Sequence, residues 1–339
     1  MLLVVWSRSL ARRRFCRSAG QNEQASVPNF LKSGLLLLFC AVYAGAADFR
    51  LGIIGTDTSH VPAFTKEFND PAATGFVPGF RVVAAYKGGS PDLPDSATRV
   101  DGFANEIRDK YGVQLVPDIA TLCAMVDGVL LESVDGRVHL EQARQVIAAH
   151  KPLFIDKPLA STLADAREIA RLAREANVPW FTTSSLRYSD FSSVKSPDNT
   201  GVSVWGPGPL EEHHQLSLSW YGIHAIEMLY AMLGPGCLTV TQTSSPDSDV
   251  VVGVWKDGRV GEARLSRPYS DYGVVAFRGR NVVVAHPLKV DYAALDARIA
   301  EFFRTGVPPV PNQETLEIFA FMDAAQRSKD SGGKPVNLQ

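Results

Sequence analysis

A basic surplus is the most evident thing this sequence lacks. Across 339 residues, 34 Lys+Arg stand against 36 Asp+Glu, a formal net charge of -2. The first 46 residues hold six of the cations and one of the acids, so the remainder carries 28 against 35, a net of -7. An acidic body with no basic patch speaks against nucleic acid as a partner. Cysteine is scarce too. Cys16, Cys40, Cys123 and Cys237 follow no metal-ligand spacing, and Cys123 and Cys237, the two beyond the first 46 residues, read as buried thiols rather than a disulfide. The adjacent His213 and His214 lack a third ligand nearby and read as loop residues, so no metal site is expected. No internal repeat is present, and no apolar run reaches the ~20 residues a membrane-spanning helix requires.

Ser33 to Ala47 carries no charge, with an apolar core from Gly34 to Val42, Lys32 before it and the small residues Ala44-Gly45-Ala46 after it. This is the pattern of a secretory signal, with cleavage expected after Ala46 and export to the periplasm or medium. Residues 1–26 fit that leader poorly. Arg12-Arg13-Arg14-Phe15 resembles a twin-arginine signal, but the polar run Gln21-Asn22-Glu23-Gln24 separates it from the apolar core, and translation is expected to start near Val27. Three segments are therefore expected: 1–46 as leader, 47–186 as a nucleotide-binding domain and 187–339 as a substrate and oligomerisation domain.

Beyond the leader, strands and helices alternate. Phe49–Ile54 is a buried strand running through Gly55 into a helix near Val61. Phe80–Tyr86, Val113–Val116, Gly128–Leu131, Phe154–Ile155 and Val178–Thr182 are further strands, with helices at 105–111, 119–126, 138–149 and 163–176. Such alternation predicts a doubly wound parallel sheet. The second half differs. Residues 189–212 are rich in Ser, Pro and Gly and read as a loop or lid. A helix spans 221–233 and stops at Gly234-Pro235-Gly236. Strands near 239, 250–255, 262–266, 273–277 and 282–285 follow, with a hairpin turn at Lys256-Asp257-Gly258. Helices at 292–303 and 314–328 close the chain. The fold class expected is thus α/β, a Rossmann sheet followed by an α+β domain with a mainly antiparallel sheet.

One short stretch organises the rest. Phe154-Ile155-Asp156-Lys157-Pro158 is an apolar strand that ends on a charged pair and a proline. Carboxyl ends of strands in such sheets are where ligands bind, so Asp156 and Lys157 are expected to face a crevice; a surface salt bridge is the plainer alternative. This stretch resembles the Glu-Lys-Pro strand end of the Gfo/Idh/MocA oxidoreductases, with Asp in place of Glu. The glycine loop Gly52-Ile53-Ile54-Gly55-Thr56-Asp57, then Leu186-Arg187-Tyr188, Gly222-Ile223-His224-Ala225-Ile226-Glu227 and Glu314–Phe319 occur in the family's order, from about Asp48 to Leu338.

The resemblance implies an NAD(P)-dependent oxidoreductase that moves a hydride to or from a sugar, cyclitol or related polyol. In the family the lysine at the position of Lys157 sits between nicotinamide and substrate, and the histidine at that of His224 carries the proton. Cofactor contacts are implied for Gly55, Thr56, Asp57, Thr58, Ser59, His60, Lys87, Ser90, Ser133, Asp135, His139, Asp156 and Lys157. Substrate contacts are implied for Arg187, Tyr188, Tyr221, His224 and Glu227. Helix-terminal packing is an equal reading for His139, as is a buried helix face for His224. Departures stand beside these matches. Of three fingerprint glycines only Gly55 is kept, with Asp57 and His60 at the other two positions, while Thr56, Thr58 and Ser59 offer hydroxyls to phosphate or to the helix start. A carboxylate is absent after Tyr86, where Lys87 and Ser90 suit the 2′-phosphate of NADP. Trp220 stands where the family has an Asp. A retained cofactor is consistent with export, and a cofactor-less, carbohydrate-binding pseudoenzyme is the alternative. The family's second sheet also implies a homo-oligomer. Stable membrane insertion is not expected.

Overall fold

The structure, a computed structural model, describes residues 47–338; the expected leader and its cleavage site lie outside them. The described residues are built on two sheets. Strands β1 (Phe49–Ile54), β2 (Phe80–Tyr86), β3 (Gln114–Val116), β4 (Gly128–Leu131), β5 (Leu153–Ile155) and β6 (Trp180–Thr182) pair in parallel in the order β3-β2-β1-β4-β5-β6. The order reverses between β1 and β4, which puts the crevice of the sheet above their carboxyl ends. Helices α1 (His60–Asn69), α2 (Pro94–Ala97), α3 (Val100–Tyr111), α4 (Ile119–Met125), α5 (His139–Ala148) and α6 (Leu163–Glu175) occupy the crossovers. Central strands buried on both faces carry unbroken apolar runs: Gly128–Leu131 and Leu153–Ile155 are buried at every position. Caps sit where short polar side chains precede helices. Asp118 accepts from the Thr121 amide and Thr162 from that of Asp165. At α1 Ser59 makes no side-chain bond to the helix start, and Thr58 Oγ1 instead accepts from the His60 amide at 3.4 Å.

The second sheet has the order β12-β11-β7-β10-β9-β8-β13. Its strands are β7 (Gly201–Pro207), β8 (Cys237–Ser245), β9 (Ser248–Trp255), β10 (Val260–Ser266), β11 (Tyr272–Arg278), β12 (Asn281–Leu288) and β13 (Val336–Asn337). All neighbours are antiparallel except β7 and β10. The β9–β10 turn holds Gly258 at φ 84°, as the hairpin signal required. β7 corrects the reading of 189–212 as a loop or lid. Val202 and Val204 are buried in mid-sheet, and the flanking Ser, Pro and Gly residues hid a strand of only 7 residues. Helix α7 (Gly222–Leu233) packs on β7 and β10, and α9 (Asn312–Asp330) covers β8.

Helix α8 (Tyr292–Thr305) crosses back from the second half to the first sheet. Leu295, Ile299, Phe302 and Phe303 join Phe64, Phe154 and Phe181 in a core on the α1 face, with Phe181 and Phe302 ring centroids 4.8 Å apart. The two halves thereby pack through a shared core. Cys123 and Cys237 are free, buried thiols. Among the described residues no helix is long and apolar enough to cross a membrane.

Candidate active site

Gly55 ends β1 at φ 85°, and a Cβ there would lie 2.4 Å from the Ser133 amide nitrogen, so only glycine lets the β1 and β4 ends approach this closely. From this junction the chain enters α1 through Thr58 and His60. On the other side of β4, β5 delivers Asp156 and Lys157. From the second half, α7 brings Tyr221 and His224. Lys157, His224, Tyr221, Trp220, Thr58 and His60 line a cavity of about 160 Å³, closed further by Tyr269, Tyr272 and Tyr292.

Asp156 and Lys157, adjacent in sequence, meet different surroundings. Asp156 is buried, with one carboxylate oxygen 2.7 Å from His60 Nδ1. Lys157 faces the cavity, makes no ion pair among the described residues, and holds its ammonium 5.9 Å from the Tyr221 ring centroid. Burial pulls the Lys157 ammonium below the ordinary lysine value, partly offset by the Asp156 and Glu132 carboxylates. His224 is drawn well below the usual histidine value, first by burial and then by the Lys157 charge. It is therefore neutral near pH 7, with Nδ1 2.7 Å from Ser184 Oγ. A cation beside a neutral imidazole and several phenols can polarise an oxygen and accept its proton.

Most of the other expected contacts are engaged by the chain itself. Thr56 and Asp57 are both fully buried. Thr56 Oγ1 donates to the Val100 carbonyl at 2.9 Å. Asp57 accepts from Ser96 Oγ at 2.5 Å and from the Val134 amide at 2.9 Å, and burial pushes its carboxyl upward. Ser90 Oγ donates to Asp135 at 2.6 Å, and Ser96 Oγ accepts from the Ser90 amide at 2.7 Å. Asp135 also pairs with Arg137 and, at 3.2 Å, with His214, which is 5% exposed. His214 lies in a loop, as expected, but its side chain is buried there. Leu93 reaches across to Val134 and Trp220. Residues 88–99 thus bridge the β2 and β4 ends above Gly55, which Gly88 approaches so closely that a Cβ on it would lie 3.4 Å from the Gly55 Cα.

Ser133 donates to Gln142, and His139 is a buried packing residue set between the Ser133 and Leu159 carbonyls. Lys87 is paired with Asp101 on the surface, so neither residue offered for a 2′-phosphate is left free. Of the expected substrate contacts, Tyr221 and His224 line the cavity. Arg187 does not: it is buried between Glu227 and Glu314 and ties the short 3₁₀ turn Ser185–Tyr188, α7 and α9 together. Tyr188 lines a different depression, beside Phe302 and Pro308. A strand-end polar residue was a sound cue, but long-range packing decides whether it faces the cavity or a partner. The sequence reading passed over Glu132, fully buried after β4, although it ends an apolar strand as Asp156 does.

Residues 49–184 match the family described as oxidoreductase family, NAD-binding Rossmann fold. No curated protein sequence matches the chain. Among solved structures, a Sinorhizobium meliloti protein assigned as a myo-inositol dehydrogenase superposes with a TM-score of 0.69 at 17% identity, covering 86% of this chain and 100% of that one. The myo-inositol dehydrogenase of Lactobacillus casei, solved with NAD(H) and myo-inositol, gives 0.64 at 16% identity over 86% and 97%. The myo-inositol 2-dehydrogenase of Lactobacillus plantarum gives 0.67 at 13% over 86% and 100%. The family match covers the first sheet, and the architecture along both sheets is shared with these solved structures.

Proposed function

We propose that this protein is an oxidoreductase that exchanges a hydride between NAD(P) and a polyol or sugar-like molecule held in the Lys157–His224 cavity. The observation that carries the reading is Lys157 itself, a strand-end ammonium without an ion pair among the described residues, facing a buried, neutral His224. A cavity of about 160 Å³ is below the ~300–1,000 Å³ of drug-sized sites and suits a single small polyhydroxylated molecule.

The residues present fit a dinucleotide only in part. On the substrate side, Thr58, Ser59 and Lys157 are free to meet one. On the pyrophosphate side, residues 88–99 and the Asp57–Ser96 bond cover the loop, and the Asp57 carboxylate would disfavour a phosphate there. Loading therefore requires the 88–99 segment to move aside. When bound, NAD(P) supplies the hydride acceptor or donor. The chain's own part is to position and deprotonate: Lys157 polarises the substrate oxygen, and His224, held by Ser184, takes its proton. Losing a positioned charge of this kind costs ~2.7–4 kcal/mol, roughly 10²–10³ in rate. NADP preference over NAD, export after cleavage near Ala46 and self-association through the second sheet belong to the same proposal; N-terminal sequencing of secreted protein tests the cleavage.

The test is calorimetric titration of the purified protein with NAD and NADP, followed by a screen of polyols and aldoses for nicotinamide reduction. Lys157→Ala is expected to lose turnover by the factor above while melting as the wild type does. Near-normal turnover in Lys157→Ala, or a well-folded protein that binds neither cofactor even at millimolar concentration, overturns the reading.

A further inference from the structure

Three strand-to-helix junctions of the first sheet converge beneath the cavity. His60 opens α1 after β1, Glu132 follows β4, and Asp156 follows β5. One ligand-capable atom from each lies within 4.8 Å of the others, and all three side chains are buried. The group is short of donors. Among the described residues both Glu132 oxygens and the second Asp156 oxygen have no hydrogen-bond partner, and His60 Nδ1, although 2.7 Å from Asp156, is not aligned to bond with it. Lys157, next in the chain, pairs with neither carboxylate among the described residues, and its ammonium turns toward the Tyr221 ring. Buried acceptors without donors are costly unless a cation or a proton meets them. An imidazole nitrogen and a carboxylate oxygen held close without hydrogen-bond alignment are placed as co-ligands of an ion are.

We propose that His60, Glu132 and Asp156 bind one divalent transition-metal ion. One imidazole and two carboxylates form a mixed nitrogen and oxygen set suited to zinc or manganese rather than to a soft ion. Ligand atoms 2.0–2.2 Å from a tetrahedral centre lie ~3.4 Å apart. The triad reaches that spacing by small side-chain torsions, since its atoms already lie between 2.7 Å and 4.8 Å of one another. Three protein ligands leave a fourth position. His60 lines the cavity beside Lys157 and His224, so this position opens toward the substrate and would take a water or a substrate hydroxyl. No spacing in the sequence announces the site, because its ligands sit at three separate junctions.

The ion is assayed without turnover, so the outcome is separate from that of the NAD(P) reading. The full chain, stripped with a chelator, is dialysed against Zn²⁺ or Mn²⁺ and analysed for metal per chain, with a thermal melt at each step. One equivalent is expected, with a raised melting temperature. Glu132→Gln, close to isosteric, is expected to weaken binding by a factor on the order of 10–100. Should that variant fail to fold, Asp156→Asn and His60→Asn carry the same expectation. A folded wild type that retains no stoichiometric ion and whose melt is unmoved by either metal overturns the proposal, as does full retention by the ligand variants.

Discussion

Ser96→Ala removes one hydroxyl from the segment that covers the nucleotide loop, and its consequence can be worked from the structure. Ser96 Oγ donates to Asp57 at 2.5 Å and accepts from the Ser90 amide at 2.7 Å, with all three side chains buried. A hydrogen bond to a buried carboxyl contributes about 1–3 kcal/mol net. Asp57 keeps its bond from the Val134 amide at 2.9 Å, so the variant retains a partner for the acid and its fold. The loss falls on the closed arrangement, because once residues 88–99 lift away, water serves both groups. Apparent affinity scales with the fraction of molecules able to bind, so NAD(P) should bind about 5- to 150-fold more tightly at 1.4 kcal/mol per tenfold. The cofactor-free protein should melt lower, by about 2–4 °C for each kcal/mol lost. Calorimetric titration and a thermal melt on the same preparation read both. A lowered melt with unchanged or weaker NAD(P) binding would refute the reasoning, because the segment would then not be what the cofactor displaces.

Two further outcomes follow from buried charges outside the cavity. Burial works against the charge of Asp135, yet donors from His214, Arg137 and Ser90 hold its carboxyl well below the ordinary range. A depressed carboxyl contributes stability in full above its unfolded value of ~3.9, and that stability is lost as pH falls below it toward the folded value. Asp135→Asn should therefore melt lower at neutral pH and lose less on acidification from pH 5 to 2; a profile parallel to wild type would show that Asp135 does not govern acid stability. Arg187→Met leaves Glu227 and Glu314 buried without their shared cation, which typically costs about 3–5 kcal/mol. Denaturant unfolding that differs from wild type by under ~1 kcal/mol would mean these carboxylates are met in another way.

Much of the architecture was legible locally. The alternation of apolar strands and helices produced the parallel sheet, Gly258 its hairpin and Gly234 the end of α7. β7 was not legible, because its Ser and Gly positions are those of a loop and only pairing with β10 and β11 makes them a strand. The site was legible in part. Lys157 and His224 both line the cavity, whereas Arg187, Tyr188 and Glu227 turn to other partners.

What the sequence determined alone is what depends on near neighbours: where an apolar strand must stop at a proline, where only glycine fits, and which junctions end on polar side chains. Tertiary structure decided which of those side chains face the cavity. Asp156 and Lys157 are adjacent, yet one is drawn inward beside His60 and Glu132 while the other faces the cavity. The return of α8 to the first sheet, the crossing of residues 88–99 above Gly55, and the convergence of His60, Glu132 and Asp156 all join positions tens to hundreds of residues apart. Side-chain period and turn chemistry act over a few residues, so such meetings are set by packing between elements and leave no local mark in the chain.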